Sequence, residues 1–371
     1  MTSGVRGVGK LAAASAMAMA MVACASGTQS ASTTTTTSVA PVTIAATSTS
    51  PTTAAGVSGT GVASTDGAPT TAPSVPVMPL TGLPITDPAV AGRQAIVVKI
   101  DNHPDARPQS GLGVADLVYE ENVEELTRFA AVFQTVVPDP VGPVRSGRTQ
   151  DVLLLGSLDK PMFAWSGGNA AVTTAIDASD FFVVRVDAQT FAKDAGTYRA
   201  KDRRSPHNLY AMGSGLLTVS PPASTPPPQQ FQYLAPGATS PGAVSSGVSV
   251  AMDGVAVKWM YDQTSNAYLR FEDARPHLDR EAGPINATNV IILTVDYQPS
   301  PADGRSPEAQ TIGSGAVAVY TGGRVVTGTW TRPDRLQTFT LADDAGNPIL
   351  LTPGRTWVEL AEAAAASPLE T

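Results

Sequence analysis

Apolar residues in this chain fall in short blocks rather than in long helical stripes, and the blocks set out its elements. Ala95–Ile100 is an uninterrupted β-type run, and Leu117–Tyr119 and Arg128–Val137 read as two further strands. Ser146–Leu158 carries Val152, Leu153 and Leu155 on one face between Asp151 and Asp159, which predicts a helix. Met162–Trp165 is short and apolar and leads through Ser166-Gly167-Gly168 into a second predicted helix at Asn169–Ala178. Phe181–Val186 is strand-like, and His207–Leu217 has a helical spacing. Such alternation of strands and helices predicts an α/β layer structure.

The pattern then changes. Val255–Met260, Ala267–Phe271, Val290–Val295, Ala316–Tyr320, Arg324–Trp330, Leu336–Leu341 and Trp357–Leu360 are β-rich runs. Turns such as Gly322-Gly323 and Asp344-Ala345-Gly346-Asn347 separate them, so this half reads as a mostly antiparallel sheet. Between the halves, residues 219–247 contain Pro221-Pro222 and Pro226-Pro227-Pro228 and read as a Pro-rich linker, interrupted by Phe231-Gln232-Tyr233-Leu234. The fold class expected is a layered α/β sandwich over residues 79–218, followed by a mostly antiparallel β-rich part over 248–361. The Ala-rich tail, 362–371, reads as frayed.

The first 78 residues follow different rules. Arg6 and Lys10 precede an apolar stretch, Leu11 to Val22, that is too short to span a bilayer, so residues 1–23 read as a secretion signal. Met21-Val22-Ala23-Cys24 resembles a bacterial lipobox, and Cys24 is the single cysteine of the chain. The expected partner is a membrane, reached through a lipid anchor at Cys24 on the extracytoplasmic face of the cell membrane. Residues 24–78 are mostly Ser, Thr, Ala, Pro and Gly, with Asp66 as their one charge, a composition that reads as a disordered tether.

With 371 residues and 42% hydrophobic content there is ample material for a large core. The formal net charge of −8 excludes nonspecific nucleic-acid binding as the simplest role, because that needs a cationic face.

Chemistry concentrates in four polar segments of the first half. The first leaves the Ala95–Ile100 run and carries Asp101, Asn102, His103, Arg107, Gln109 and Ser110. The others hold Glu120 with Arg128, then Arg145, Ser146 and Arg148, then Arg203, His207 and Asn208. Guanidinium forks match planar anions bidentately, and a helix opening near Ser146 would add aligned N–H donors. Hence the main expectation is a binding protein for an anionic cell-wall ligand, with no cofactor and no metal. Ion-paired scaffolding accounts for the same arginines beside Asp101, Glu120, Glu124 and Asp202. His103 and His207 lack a compact metal-ligand spacing, and no G-x-S-x-G elbow occurs. Two other roles fit: an envelope hydrolase using Asp101, His103, Glu120 or His207 as acid and base, and an envelope interaction scaffold.

These segments, in this order, resemble the YerB family of bacterial lipoproteins, a domain family of unknown function. The carriers include Pro79-Leu80-Thr81-Gly82-Leu83-Pro84, Arg107-Pro108-Gln109-Ser110-Gly111-Leu112, Gly142-Pro143-Val144-Arg145-Ser146 and Pro206-His207-Asn208-Leu209-Tyr210. Tyr268-Leu269-Arg270-Phe271 and Pro353-Gly354-Arg355-Thr356-Trp357 carry it through the second half. The resemblance implies a layered α/β first part and a β-rich second part, and implies no reaction. One departure is visible: Glu124-Glu125-Leu126 stands where the family tends to have a Gly-Gly pair before Thr-Arg, adding charge beside the predicted site.

Overall fold

The computed structural model describes residues 76–187, 196–221 and 224–370. Cys24, the signal and nearly all of the tether lie outside them. Among the described residues no helix is long and apolar enough to cross a membrane.

The apolar runs of the first half become strands β1 (Ile96–Asp101), β2 (Leu117–Asn122), β3 (Thr127–Phe133), β4 (Met162–Trp165) and β5 (Phe182–Arg185). All six residues of β1 are buried, Lys99 and Asp101 included, as a strand covered on both faces requires. Strands from both sides of the Pro-rich stretch share one eleven-stranded sheet. Its order is Thr340–Asp343, Arg324–Arg332, Gly313–Thr321, Asn289–Thr294, Thr356–Ala361, β2, β3, β1, β4 and β5, with Ala243–Val244 pairing beside the path. The join is parallel: Leu117 to Glu120 pair with Thr356 to Glu359.

Two layers cover this sheet. One is an antiparallel six-stranded sheet built on Gly247–Met252, Val255–Asp262 and Ala267–Glu272. In Val255–Asp262 burial alternates, with Val255, Val257 and Trp259 inward and Ala256, Lys258 and Met260 outward. These inward residues pack with Ile96, Val98, Ile100, Val118 and Phe129 of the large sheet. The other face, with Val97, Tyr119 and Val132, is covered by Leu154, Leu155, Leu158, Val172 and Ile176 from the helices. The architecture is therefore the expected one, a layered mixed sheet with a largely antiparallel, strand-rich C-terminal part.

Several local expectations need correction. The first predicted helix, α1, starts at Thr149 rather than Ser146 and runs only to Leu154 before tightening into a 3-10 turn over Leu155–Leu158. The second, α2, occupies Ala170–Asp177, close to its predicted span. His207–Leu217 is not one helix. Leu209–Tyr210 pairs with Tyr198–Arg199 as a short ribbon, Ala211 bridges Val141, and a helix forms only over Gly213–Val219. The tail is not frayed either: Ala366–Pro368 pairs with Val248–Val250 and covers the edge of the six-stranded sheet.

The Pro-rich stretch is strapped to the core rather than loose. Phe231 and Leu234 are buried, and the Leu234 N–H donates to the Leu351 carbonyl. Tyr233 lies against Gly82, whose φ of +65° and lack of a Cβ admit the ring.

Candidate functional site

Strand direction decides where the polar segments meet. β1, β4 and β5 are mutually parallel, as are Asn289–Thr294, Thr356–Ala361 and β2. β3 runs antiparallel to both β1 and β2, which makes all six strands point the same way. Their carboxyl ends share one rim of the sheet, the usual place for sites in open α/β sheets. Asp101 and Asn102, Glu120 to Asn122, Thr127 and Arg128, Ser166 and Glu359 to Glu362 all lie on or next to this rim.

The pleat then divides these residues between the two faces. Asp101, Arg128 and Glu121 form one rung across β1, β3 and β2, and Ile100, Phe129 and Glu120 form the next. Adjacent rungs point to opposite faces. Asp101 and Glu120 therefore share no cleft, which removes the two-carboxylate hydrolase arrangement.

On the helix face, Asp101 is buried, accepts at Oδ2 from His207 Nδ1 (2.7 Å) and forms an ion pair with Arg145, whose Nε lies 3.2 Å away. His207, 13% exposed, stacks on His103 with ring centroids 4.1 Å apart. Lys99 pairs with Asp151 (2.7 Å) and with Glu121, and burial pulls its ammonium down to about 8 against the attraction of Asp151. Arg148 pairs with Glu124 at 2.5 Å. Burial works to raise the Glu124 carboxyl, yet hydrogen bonds from Ser306 and Arg148 hold it at about 2.

Arg128 is the exception in this group. It is buried, donates to the Ser146 carbonyl at 3.2 Å, and has no ion pair among the described residues. Burial depresses it to about 9, and Arg148 and Arg145 push in the same direction, outweighing Asp101 and Glu124. The terminal nitrogens of the quarter-exposed Arg145 side chain likewise have no partner among the described residues. The N–H groups opening α1 do not complete this site, because Asp151 caps the Arg148 N–H (2.7 Å) and Ser146 lies outside the helix.

On the opposite face a second polar network is sealed between the sheets. Arg270 is fully buried and donates to Glu120 (2.6 Å) and Glu272 (3.0 Å), with the rings of Trp357, Phe129 and Trp259 5.0, 5.4 and 5.8 Å away. Thr127 donates to Glu120, and Asn102 donates to Thr127 and to Glu272, each at 2.8 Å or less. Gln109 bonds Asn102 (3.2 Å) and accepts from His277 Nε2 (2.9 Å). Burial, reinforced by Arg270 and Arg107, drives His277 well below its usual range and keeps it neutral. Glu359, across the join from Glu120, is raised well above its usual range by burial and by that neighbouring carboxylate. It accepts from Trp259 Nε1 at 2.7 Å.

The predicted site residues are thus split. Asp101, His103, Arg128, Arg145, Ser146, Arg148 and His207 gather at the rim on the helix face. Asn102, Arg107, Gln109 and Glu120 belong to the intersheet network, where Arg107 pairs with Glu272. Ser110 is buried with its hydroxyl unpaired. Arg203 and Asn208 are structural ties: Arg203 donates to the carbonyls of Ala106 and Pro108, and Asn208 to those of Ala200 and Arg203.

Arg270, Glu272, His277 and Glu359 escaped the sequence reading, although a charge inside a run such as Trp357-Val358-Glu359-Leu360 signals a buried ionisable group. His103, Asp105 and His207 offer ligand atoms within 4.8 Å of one another, the one such group among the described residues. Their two imidazoles lie 15° from parallel, so the in-plane lone pairs do not converge and the rings would have to tilt to share an ion. The tight turn at Glu124-Glu125 persists without glycine: Val123 N–H donates to the Leu126 carbonyl (2.8 Å), with Glu125 at φ +55°.

Comparison with known proteins places this geometry. Residues 80–224 match the N-terminal domain, and residues 248–358 the C-terminal domain, of a family described as protein of unknown function DUF3048. A Bacillus subtilis (strain 168) protein named "Putative lipoprotein YerB" is 29% identical over 76% of this chain and 85% of its own. A crystal structure of the YerB protein from Bacillus subtilis superimposes with a TM-score of 0.68 at 26% identity, covering 79% of this chain and 99% of that one. The chain belongs to the YerB-like DUF3048 family.

Proposed function

We propose that this chain is a lipoprotein held on the extracytoplasmic face of the cell membrane by a diacylated Cys24, and that it binds an anionic cell-envelope ligand at the rim. The lipobox-like sequence and the name of the Bacillus subtilis relative support the anchor. Arg128 carries the ligand reading. A buried guanidinium without a counter-ion, beside Arg145 and Arg148, is costly unless an anion completes it. Phosphate and carboxylate both suit paired guanidinium forks, so a phosphorylated glycan or a peptidoglycan fragment fits.

Equilibrium binding of the full chain to isolated cell-wall fragments tests this reading. The Arg128→Met, Arg145→Ala double variant should lose at least about tenfold in affinity, equivalent to about 1.4 kcal/mol. Unchanged affinity in a folded double variant refutes the site. For the anchor, Cys24→Ser should move the protein from the membrane fraction to the soluble one; retention in membranes refutes it.

A further inference from the structure

Asp101 holds two histidine-bearing loops at one point of the rim. Its Oδ1 accepts from the His103 backbone N–H at 3.1 Å, while its Oδ2 faces both His207 Nδ1 and Arg145 Nε. A carboxylate facing a guanidinium only accepts, so a neutral His207 carries its hydrogen on Nδ1 and keeps a lone pair on Nε2. His103 has the opposite arrangement. Its Nδ1 accepts from the Asp105 backbone N–H at 3.1 Å, which leaves the ring hydrogen on Nε2.

The two imidazoles stack with centroids 4.1 Å apart, and each offers a nitrogen within 4.8 Å of one on the other. Stacking covers the face of a ring and not its edge. His207 Nε2 has no hydrogen-bond partner among the described residues. A carboxylate-backed lone pair, an adjacent N–H donor and guanidiniums without a full set of partners thus start from one residue. A carboxylate behind the far nitrogen makes an imidazole more basic and steadies the cation it becomes on attack, which is what a nucleophile needs.

We propose, resting on the anion-site reading above, that the rim is a phosphomonoesterase site in which His207 Nε2 takes the phosphoryl group from a phosphate monoester and passes it to water. In the first step Nε2 attacks phosphorus, the N–P bond forms, the ester P–O bond breaks, and the departing alkoxide takes a proton from water. Asp101 faces the imidazolium so formed at Nδ1. In the second step a water attacks phosphorus and the N–P bond breaks. That water gives its proton to the hydroxide left by the first step, inorganic phosphate leaves, and the Nε2 lone pair is restored. Negative charge in phosphoryl transfer lies on the three equatorial oxygens, with attacking and leaving atoms in line. His103 Nε2–H sits beside the nucleophile rather than opposite it, so it suits an equatorial oxygen. Arg145 and Arg128 serve the other two, and a monoester leaves all three oxygens free to accept.

The full chain, pretreated with EDTA, is tested with p-nitrophenyl phosphate and with phosphoramidate. Release of p-nitrophenol is expected, together with one phosphoryl group per chain, labile in acid and stable in alkali, mapped to His207 by mass spectrometry. His207→Gln, which keeps a donor for Asp101, should abolish both. His103→Ala, on a side chain 36% exposed, should slow release at least about tenfold. The mapping on the unaltered chain decides the matter even if a variant does not fold. Binding of inorganic phosphate, followed by its phosphorus resonance, separates this activity from the anion site. Phosphate bound with neither p-nitrophenol release nor a phosphorylated His207 overturns the activity alone, and no phosphate binding removes both. Release without a phosphorylated His207, full activity in His207→Gln, or activity lost to EDTA and restored by zinc also overturns the proposal.

Discussion

Replacing Arg270 by Met tests whether the intersheet network is a stabilising feature or only a tolerated one. Arg270 is wholly buried and answers two carboxylates, Glu120 at 2.6 Å and Glu272 at 3.0 Å. Methionine keeps much of the stem and its contact with the tryptophans but leaves Glu120 buried without a cation and Glu272 with Arg107 alone. Removing one member of a buried pair costs about 3–5 kcal/mol, because the abandoned charge stays desolvated. That is a large share of the roughly 5–15 kcal/mol that holds a native domain. With a urea dependence near the upper end of the range, about 3 kcal/mol per molar, the unfolding midpoint should fall by about 1–2 M. Acidification should restore part of the loss, since protonating a stranded buried carboxylate removes its charge. A midpoint shift below about 0.3 M at neutral pH, or a loss that acid leaves unchanged, refutes this reasoning.

Two other perturbations have defined outcomes. Glu359 is raised in the fold, so its contribution to stability is complete below the unfolded carboxyl value and is lost as pH climbs toward the folded one. Glu359→Gln, which keeps an acceptor for Trp259, should therefore stabilise the protein at pH 8 relative to pH 4, as read by urea midpoints at both; identical shifts at the two pH values count against it. At Gly82, a Cβ would sit 2.2 Å from the Tyr233 ring at a left-handed φ. Gly82→Ala should cost about 1–3 kcal/mol and hasten protease cleavage between residues 224 and 240, while unchanged cleavage would show that the strap does not rest there.

The strands of the first half were legible because β1, β3 and β4 are buried on both faces and so read as unbroken apolar runs. The Asp101–Gly111 loop stood out for the same reason, as polar residues following directly on such a run. Which face each residue would take was not legible. Asp101 and Glu120 look equivalent in the sequence, and only the register of β1, β3 and β2 sends them to opposite layers. Arg270 lies in an alternating strand where a charge ordinarily faces water, and its burial depends on Glu120, 150 residues earlier in the chain. Ala366–Pro368 was unreadable locally, since its pairing meets the need of an exposed edge more than a hundred residues away.

The position of Thr356–Ala361 between Asn289–Thr294 and β2 also dictates when this protein can become whole. Synthesis proceeds from the N-terminus, and the strand that unites the halves follows every other strand of the large sheet. Until it arrives, β2 has a bare hydrogen-bonding edge and half of the sheet lacks its central neighbour. Completion thus waits on contacts of very long sequence separation, a topology that folds slowly and leaves the nascent chain open to mispairing. A chain truncated before Thr356 would expose that edge permanently and so damage the first half of the molecule as surely as the second.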